Sequence, residues 1–115
     1  MRISVVVAVL EDRLELCAQV QRLDDFGELI VVDASTLDPI QCSDLPEGAQ
    51  LISSAYANRA YQQNLGAQAA TGEVLLFLPA DTQLPMGAME ILCKTLEDSA
   101  VVGGGFERFF DSPSL

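Results

Sequence analysis

The chain has 115 residues, half of them apolar, which fits one domain with a modest core and excludes a disordered segment. Six Lys and Arg stand against seventeen Asp and Glu, a formal charge of −11, so neither nucleic acid nor an anionic membrane is a natural partner. No apolar stretch approaches the ~20 residues of a transmembrane segment, and Met1-Arg2 runs directly into a strand-like run with no signal peptide visible.

The three cysteines, Cys17, Cys42 and Cys93, are widely spaced, form no CxxC pair and have no histidine for company. A zinc site or a disulfide framework is therefore not expected. Small apolar residues in a reducing, cytoplasmic setting are.

Ile3 to Val9 is β-branched and nearly all apolar, the pattern of a strand buried on both faces. Glu11 to Asp25 carries Leu16, Val20 and Leu23 at helical spacing, with Gly27 to close the segment. Leu29 to Val32 reads as a second buried strand ending at Asp33. Residues 34–48 are rich in Ser, Thr, Asp, Pro and Gly and read as a loop with at most a short helical turn. Gln50 to Ser53 is a short third strand.

Asn58 to Thr71 is a predicted helix with Asn58 as its cap and Gly72 as its stop. Its Ala60, Ala67, Ala69 and Ala70 would let it approach the sheet closely. Val74 to Leu78 is a fourth apolar strand, and Pro85 suits the first turn of a helix bearing Met89, Leu92, Cys93 and Leu96 on one side. Val101-Val102 opens a fifth strand, interrupted by Gly103–Gly105 and followed by Phe106, Phe109 and Phe110. Strands alternating with helices predict an α/β fold: a Rossmann-like, mostly parallel sheet with flanking helices, here one domain over residues 1–115.

Ligands of open α/β sheets bind beyond the carboxyl ends of the strands. Those ends carry acids here: Glu11 and Asp12 after the first strand, Asp33 and Asp38 after the second, Asp81 after the fourth. Aspartate also favours loops and helix caps, so a purely structural reading stands beside the functional one. There is no GxGxxG after the first strand and no GxxxxGK[ST], so neither a dinucleotide fingerprint nor a P-loop is present.

Four segments carry a family resemblance. "ISVVVAVLED" (3–12) resembles the "SVIIPTLNE" that opens family 2 glycosyltransferases, and "ELIVVDASTLD" (28–38) resembles their "EVIVVDDGSTD". "ANRAYQQNLGAQAATGEVLLFLPADTQLP" (57–85) resembles the "RGRAxQMNxGAxxAxGDxLLFLHADTxLP" of one bacterial subgroup, and "VVGGGFERFFD" (101–111) its "VGGAFxLRFD". The third segment is the most specific, because a long gapless pattern rarely arises by chance.

The resemblance implies the nucleotide-binding half of a GT-A glycosyltransferase, which binds a nucleoside diphosphate sugar, as a rule a UDP-sugar. By the same resemblance Asp12 and Asp33 hold base and ribose, Arg59 lies near the diphosphate, and Asp81 holds a divalent cation, Mg²⁺ or Mn²⁺. Carboxylates suit ribose hydroxyls and base N–H groups, and such a cation joins a carboxylate to phosphate oxygens. It would also screen the acidic rim from the nucleotide.

The departures from the family pattern define an alternative. The strand-one Pro is Ala8, Asn-Glu is Glu11-Asp12, and the second signature has lost one acid and its Gly. Pro79 stands at the first position of the DXD-type element. Family members also continue further, into the part that supplies the catalytic base and most of the acceptor site, so no catalytic residue is assigned and Asp111 is not given that role. The chain reads as truncated at its C-terminus, and the alternative is an inactive homologue acting as a weak nucleotide-binding or assembly module. An uncovered strand edge and the three phenylalanines predict a homo-oligomer through residues 100–112. Light scattering is expected to give a mass above that of one chain.

Overall fold

A computed structural model describes residues 2–20, 27–82 and 88–97. The elements in order are β1 (Ile3–Val9), α1 (Arg13–Val20), β2 (Glu28–Asp33), a 3-10 turn at Cys42–Asp44, β3 (Gln50–Ser53), α2 (Arg59–Ala69), β4 (Val74–Phe77) and α3 (Ala88–Leu96). By internal packing the chain divides into two units, Met1–Pro85 and Met86–Leu115. The first holds every described strand. Of the second, α3 is described: Leu92, Cys93 and Leu96 of its predicted apolar side are partly buried, and Ile91 is exposed. The predicted fifth strand, Gly103–Gly105, the three phenylalanines, Asp111 and the oligomer segment 100–112 lie outside the described residues, as does Pro85.

The four strands form one sheet in the order β3-β2-β1-β4, with every neighbouring pair parallel. The α/β fold expected from the alternation of elements is the one observed. β1 and β2 are central and buried on both faces, which is why both are nearly continuous runs of Val, Ile and Leu. Val5, Val6, Val7, Val9, Ile30, Val31 and Val32 are at most 1% exposed.

Helix α2 lies over β1 and β2. Leu65, Ala69, Ala70 and Ile52 pack on a cluster of Val6, Ile30 and Val32. The close approach is made chiefly by Gly66, because a Cβ there would collide with Val6 and press on Val32. Of the alanines expected to seat this helix, Ala69 and Ala70 do so, whereas Ala60 faces solvent. The Asn58 cap is as predicted: its side chain accepts from the Tyr61 N–H at 2.9 Å.

The helix stop is not. α2 ends at Ala70 in an extended conformation, and Gly48 is the one glycine with positive φ among the described residues. Gly72 is needed for a different reason. A Cβ there would lie 2.5 Å from Ser4 Oγ and 2.9 Å from the Arg2 carbonyl.

β4 also departs from expectation. Leu75 and Phe77 are 41% and 42% exposed, though the strand reads as apolar throughout. They pair in register with Ser4 and Val6 and so share the face that α2 covers over β1 and β2. α2 does not reach them, because β4 lies on the far side of β1 from β2.

At the amino ends of the central strands, opposite the candidate site, Ser4 is fully buried, donates to Glu28 (2.7 Å) and accepts from the Gly72 N–H (2.9 Å). Glu28 also accepts from the Thr71 N–H (2.8 Å) and hydroxyl (3.2 Å). These bonds, the Thr71 N–H foremost, hold the Glu28 carboxyl below its usual range. A carboxyl whose pKa is lower folded than unfolded stabilises the fold above its unfolded value, about 4.3, and that contribution is lost as pH falls through the folded value. Glu28→Gln is therefore expected to lower the melting temperature at neutral pH and to lose less further stability on acidification than the parent. Equal acid limbs in thermal melts would remove Glu28 from this role.

Candidate functional site at the carboxyl rim of the sheet

In the strand order, β1 leads outward to β2 and β3 on one side, and β4 returns on the other. The switch point lies between β1 and β4, where a crevice opens beyond the strand ends in folds of this kind. Asp12 follows β1 and Asp81 follows β4, so the two flank that crevice. Strands stand about 4.8 Å apart, which places Asp33, Asp12 and Asp81 on the ends of three successive neighbours β2, β1 and β4.

The acids of this rim do different work. Asp33 is 6% exposed, and its carboxylate accepts from the Ser35 N–H (3.0 Å) and the Ile40 N–H (2.8 Å). It thus organises the loop after β2, as a short side chain bonding its own downstream backbone commonly does. A carboxylate offers about four lone-pair sites, so these two bonds do not exhaust its capacity.

Glu11 holds the same loop from the other flank. Its carboxylate accepts from the N–H groups of Thr36, Leu37 and Asp38 at 3.1, 3.2 and 3.1 Å, and its own N–H donates to Ser35 Oγ at 2.7 Å. These bonds, that of Thr36 first, lower its pKa. They also offset a backbone strain: Glu11 has φ +57°, a region non-glycine residues enter at a cost.

Arg13, the first residue of α1, pins the far end of the loop. Its guanidinium donates twice to Asp44, at 2.9 Å each, and lies 3.8 Å from Asp38. The paired bonds are the fork-to-carboxylate geometry that arginine favours. They lower the Asp44 pKa and raise that of Arg13. Arg13 and Asp44 were not among the expected site residues, and Glu11 was expected only as an acid of the rim. The available signal was Glu11 standing where the resemblance has Asn, a residue that tolerates positive φ.

Asp12 and Asp81 make no side-chain hydrogen bond or ion pair with another described residue. Asp12 opens α1 through its carbonyl, which accepts from the Leu16 N–H at 2.9 Å. Asp81 is exposed on a turn closed by a bond from the Thr82 N–H to the Pro79 carbonyl (3.1 Å). Buried Gln19 of α1 donates its amide to the Thr82 carbonyl and so ties that turn to α1.

Arg59 is exposed at the first position of α2. The start of this helix is fixed by Gln62, which is 3% exposed. Its Nε2 donates to the carbonyls of Val9 (3.0 Å) and Val32 (2.9 Å), at the ends of β1 and β2. One amide thus joins the helix to both central strands three residues from Arg59, and sequence reasoning missed it because a glutamine in a helix reads as a solvent-facing residue.

A divalent cation has few protein donors here. Among the described residues no three His, Cys, Asp or Glu side chains gather to hold a metal. Pro79 offers no side-chain donor, which leaves Asp81. One carboxylate fits a Mg²⁺-like ion that keeps water and takes its other ligands from phosphates; it does not fit a resident metal cage. The thiols of Cys17, Cys42 and Cys93 are all free. No described helix is long and apolar enough to cross a membrane.

Comparison with known proteins agrees with this architecture. The crystal structure of S. aureus TarS 1-349 superposes with a TM-score of 0.67 at 18% identity, covering 94% of this chain and 39% of that one. The crystal structure of S. aureus TarS gives 0.62 at 19% identity, covering 94% of this chain and 23% of that one. The chain thus spans well under half the length of either structure, and at this identity the likeness shows the fold, an α/β sheet of GT-A type. No curated protein matches the chain in sequence. The family described as Glycosyl transferase family 2 matches residues 7–115, nearly the whole sequence, and the chain belongs to that family.

Proposed function

We propose that the chain forms the donor-binding half of a glycosyltransferase, a single functional domain over residues 1–115 that takes a nucleoside diphosphate sugar, a UDP-sugar by the family resemblance. The observation that carries this reading is the pairing of Asp12 and Asp81 across the β1/β4 switch point, each with no partner among the described side chains. Glu11 is committed to the loop after β2 and Asp38 and Asp44 to Arg13, while Asp33 bonds that loop and keeps lone pairs to spare.

In this reading Asp33 and Asp12 accept hydrogen bonds from base and ribose, and Arg59 faces the diphosphate. Asp81 would be the protein ligand of Mg²⁺ or Mn²⁺ held together with the diphosphate. When bound, the cation would act as a Lewis acid on the leaving diphosphate. Glu11, Arg13 and Gln62 hold the loop and helix that present these groups. A cytoplasmic location and self-association through residues 100–112 belong to the same reading.

Calorimetric titration with UDP and UDP-sugars tests it. Binding that strengthens with Mn²⁺, and a loss of that metal dependence in Asp81→Ala, are expected. An absence of binding at millimolar nucleotide would overturn the reading. It would favour the second one, an inactive homologue serving as a weak nucleotide-binding or assembly module. The specific observation on that side is Pro79, which leaves a single carboxylate where a cation site usually has more.

A further inference from the structure

Beyond β3, at the outer corner of the same rim, a shallow groove is lined by Tyr56, Asn58, Tyr61 and Asn64. We infer that this groove is a binding subsite for a neutral sugar ring, separate from the donor site at the β1/β4 crevice.

The first argument is the aromatic pair. Tyr56 and Tyr61 are 61% and 39% exposed, and their rings meet edge to face with centroids 5.0 Å apart at 85°. Two exposed tyrosines in mutual contact are a preformed surface with little rotamer freedom left to lose on binding. Their positions are fixed from the backbone. Ser54 Oγ donates to the Tyr56 carbonyl (2.8 Å) and accepts from the Tyr56 N–H (3.3 Å), while Asn58 caps the Tyr61 N–H. The Gln62 clamp then anchors the helix that carries Tyr61 and Asn64.

The second argument is chemical match. A pyranose presents an apolar C–H face and a rim of hydroxyls. Tyrosine rings take the first, and carboxamides, which both donate and accept, take the second. Asn58 spends its oxygen on the cap and keeps its NH₂ group; Asn64 is exposed.

The third argument is charge. On a chain of net charge −11, all four lining residues are uncharged. These residues offer a charged ligand no ion pair, whereas a neutral ligand escapes the repulsion that the rest of the surface imposes on anions.

The location limits the role. β3 and β4 are the two ends of the sheet order, three strand spacings of about 4.8 Å apart. The groove holds a saccharide at a distance and contributes affinity.

The test is a ¹⁵N NMR titration of the full chain with uncharged oligosaccharides, namely cello-, malto- and N-acetylchito-tetraose, at millimolar concentrations. Shifts concentrated at residues 54–64 are expected for at least one of them, with affinity about tenfold lower in Tyr56→Ala. Tyr56→Phe, which keeps the ring face, should retain most of that affinity. No shift with any oligosaccharide, or equal shifts in Tyr56→Ala and Tyr61→Ala variants with intact spectra, would overturn the proposal. Shifts at the groove with uridine and not with the sugars would also overturn it. A separate titration with UDP and Mn²⁺, read at Asp12 and Asp81, keeps failure of this subsite distinct from failure of the donor site.

Discussion

Gly66→Ala is expected to lower the stability of the chain by about 1–3 kcal/mol, and Gly66→Val to unfold the Met1–Pro85 unit. Gly66 is buried against the sheet, and the added methyl would be driven into Val6 and against Val32, two residues of the cluster under α2. Neither neighbour can yield. Both are β-branched, sit in central strands and are at most 1% exposed. Alanine has the higher helix propensity by about 1 kcal/mol, so on an open helix surface the same change would stabilise. The sign of the effect therefore separates packing from propensity. Urea denaturation measures it, and a midpoint that rises in Gly66→Ala would mean that α2 does not seat on the sheet as described.

Gln62→Leu is the second substitution with a large expected effect, and it reads out on function as well as stability. The variant keeps the side-chain volume and removes the two bonds to the Val9 and Val32 carbonyls. A loss of about 1–3 kcal/mol is expected, since buried carbonyls lose donors that water cannot easily replace. Nucleotide affinity should also fall although Gln62 touches no nucleotide, because Arg59 is positioned through it. Arg59→Ala serves as the comparison: it should weaken nucleotide binding and leave the urea midpoint nearly unchanged, as surface substitutions do. If Gln62→Leu changes stability alone, the clamp is architectural and does not set the site.

Much of the fold was legible because its central strands are so uniformly apolar. Ile3–Val9 and Leu29–Val32 admit no amphipathic reading, and a strand buried on both faces implies a parallel sheet between helices. The Asn58 cap was legible because the chemistry of capping is local. β4 was legible as a strand, but its exposed face was not, since an apolar strand looks the same in sequence whether or not a helix covers it. Gly72 was misread as a helix stop because a glycine needed for close approach cannot be told from one needed for positive φ without its neighbours.

The candidate site divides along the same line. The alternation of apolar strands with helical patterns determined by itself that this chain is an α/β protein, and the strand-end acids put carboxylates at the rim where ligands bind. The four resembling segments pointed to its family. Which of those carboxylates are available was decided only in three dimensions. Glu11 and Asp44 are occupied by backbone N–H groups or by Arg13, Asp33 is occupied in part, and the ordering of the strands sets Asp12 and Asp81 on either side of the crevice. The physical reason is that a carboxylate's availability depends on the donors around it. Those donors come from positions up to 31 residues away in sequence, brought together only when the sheet forms.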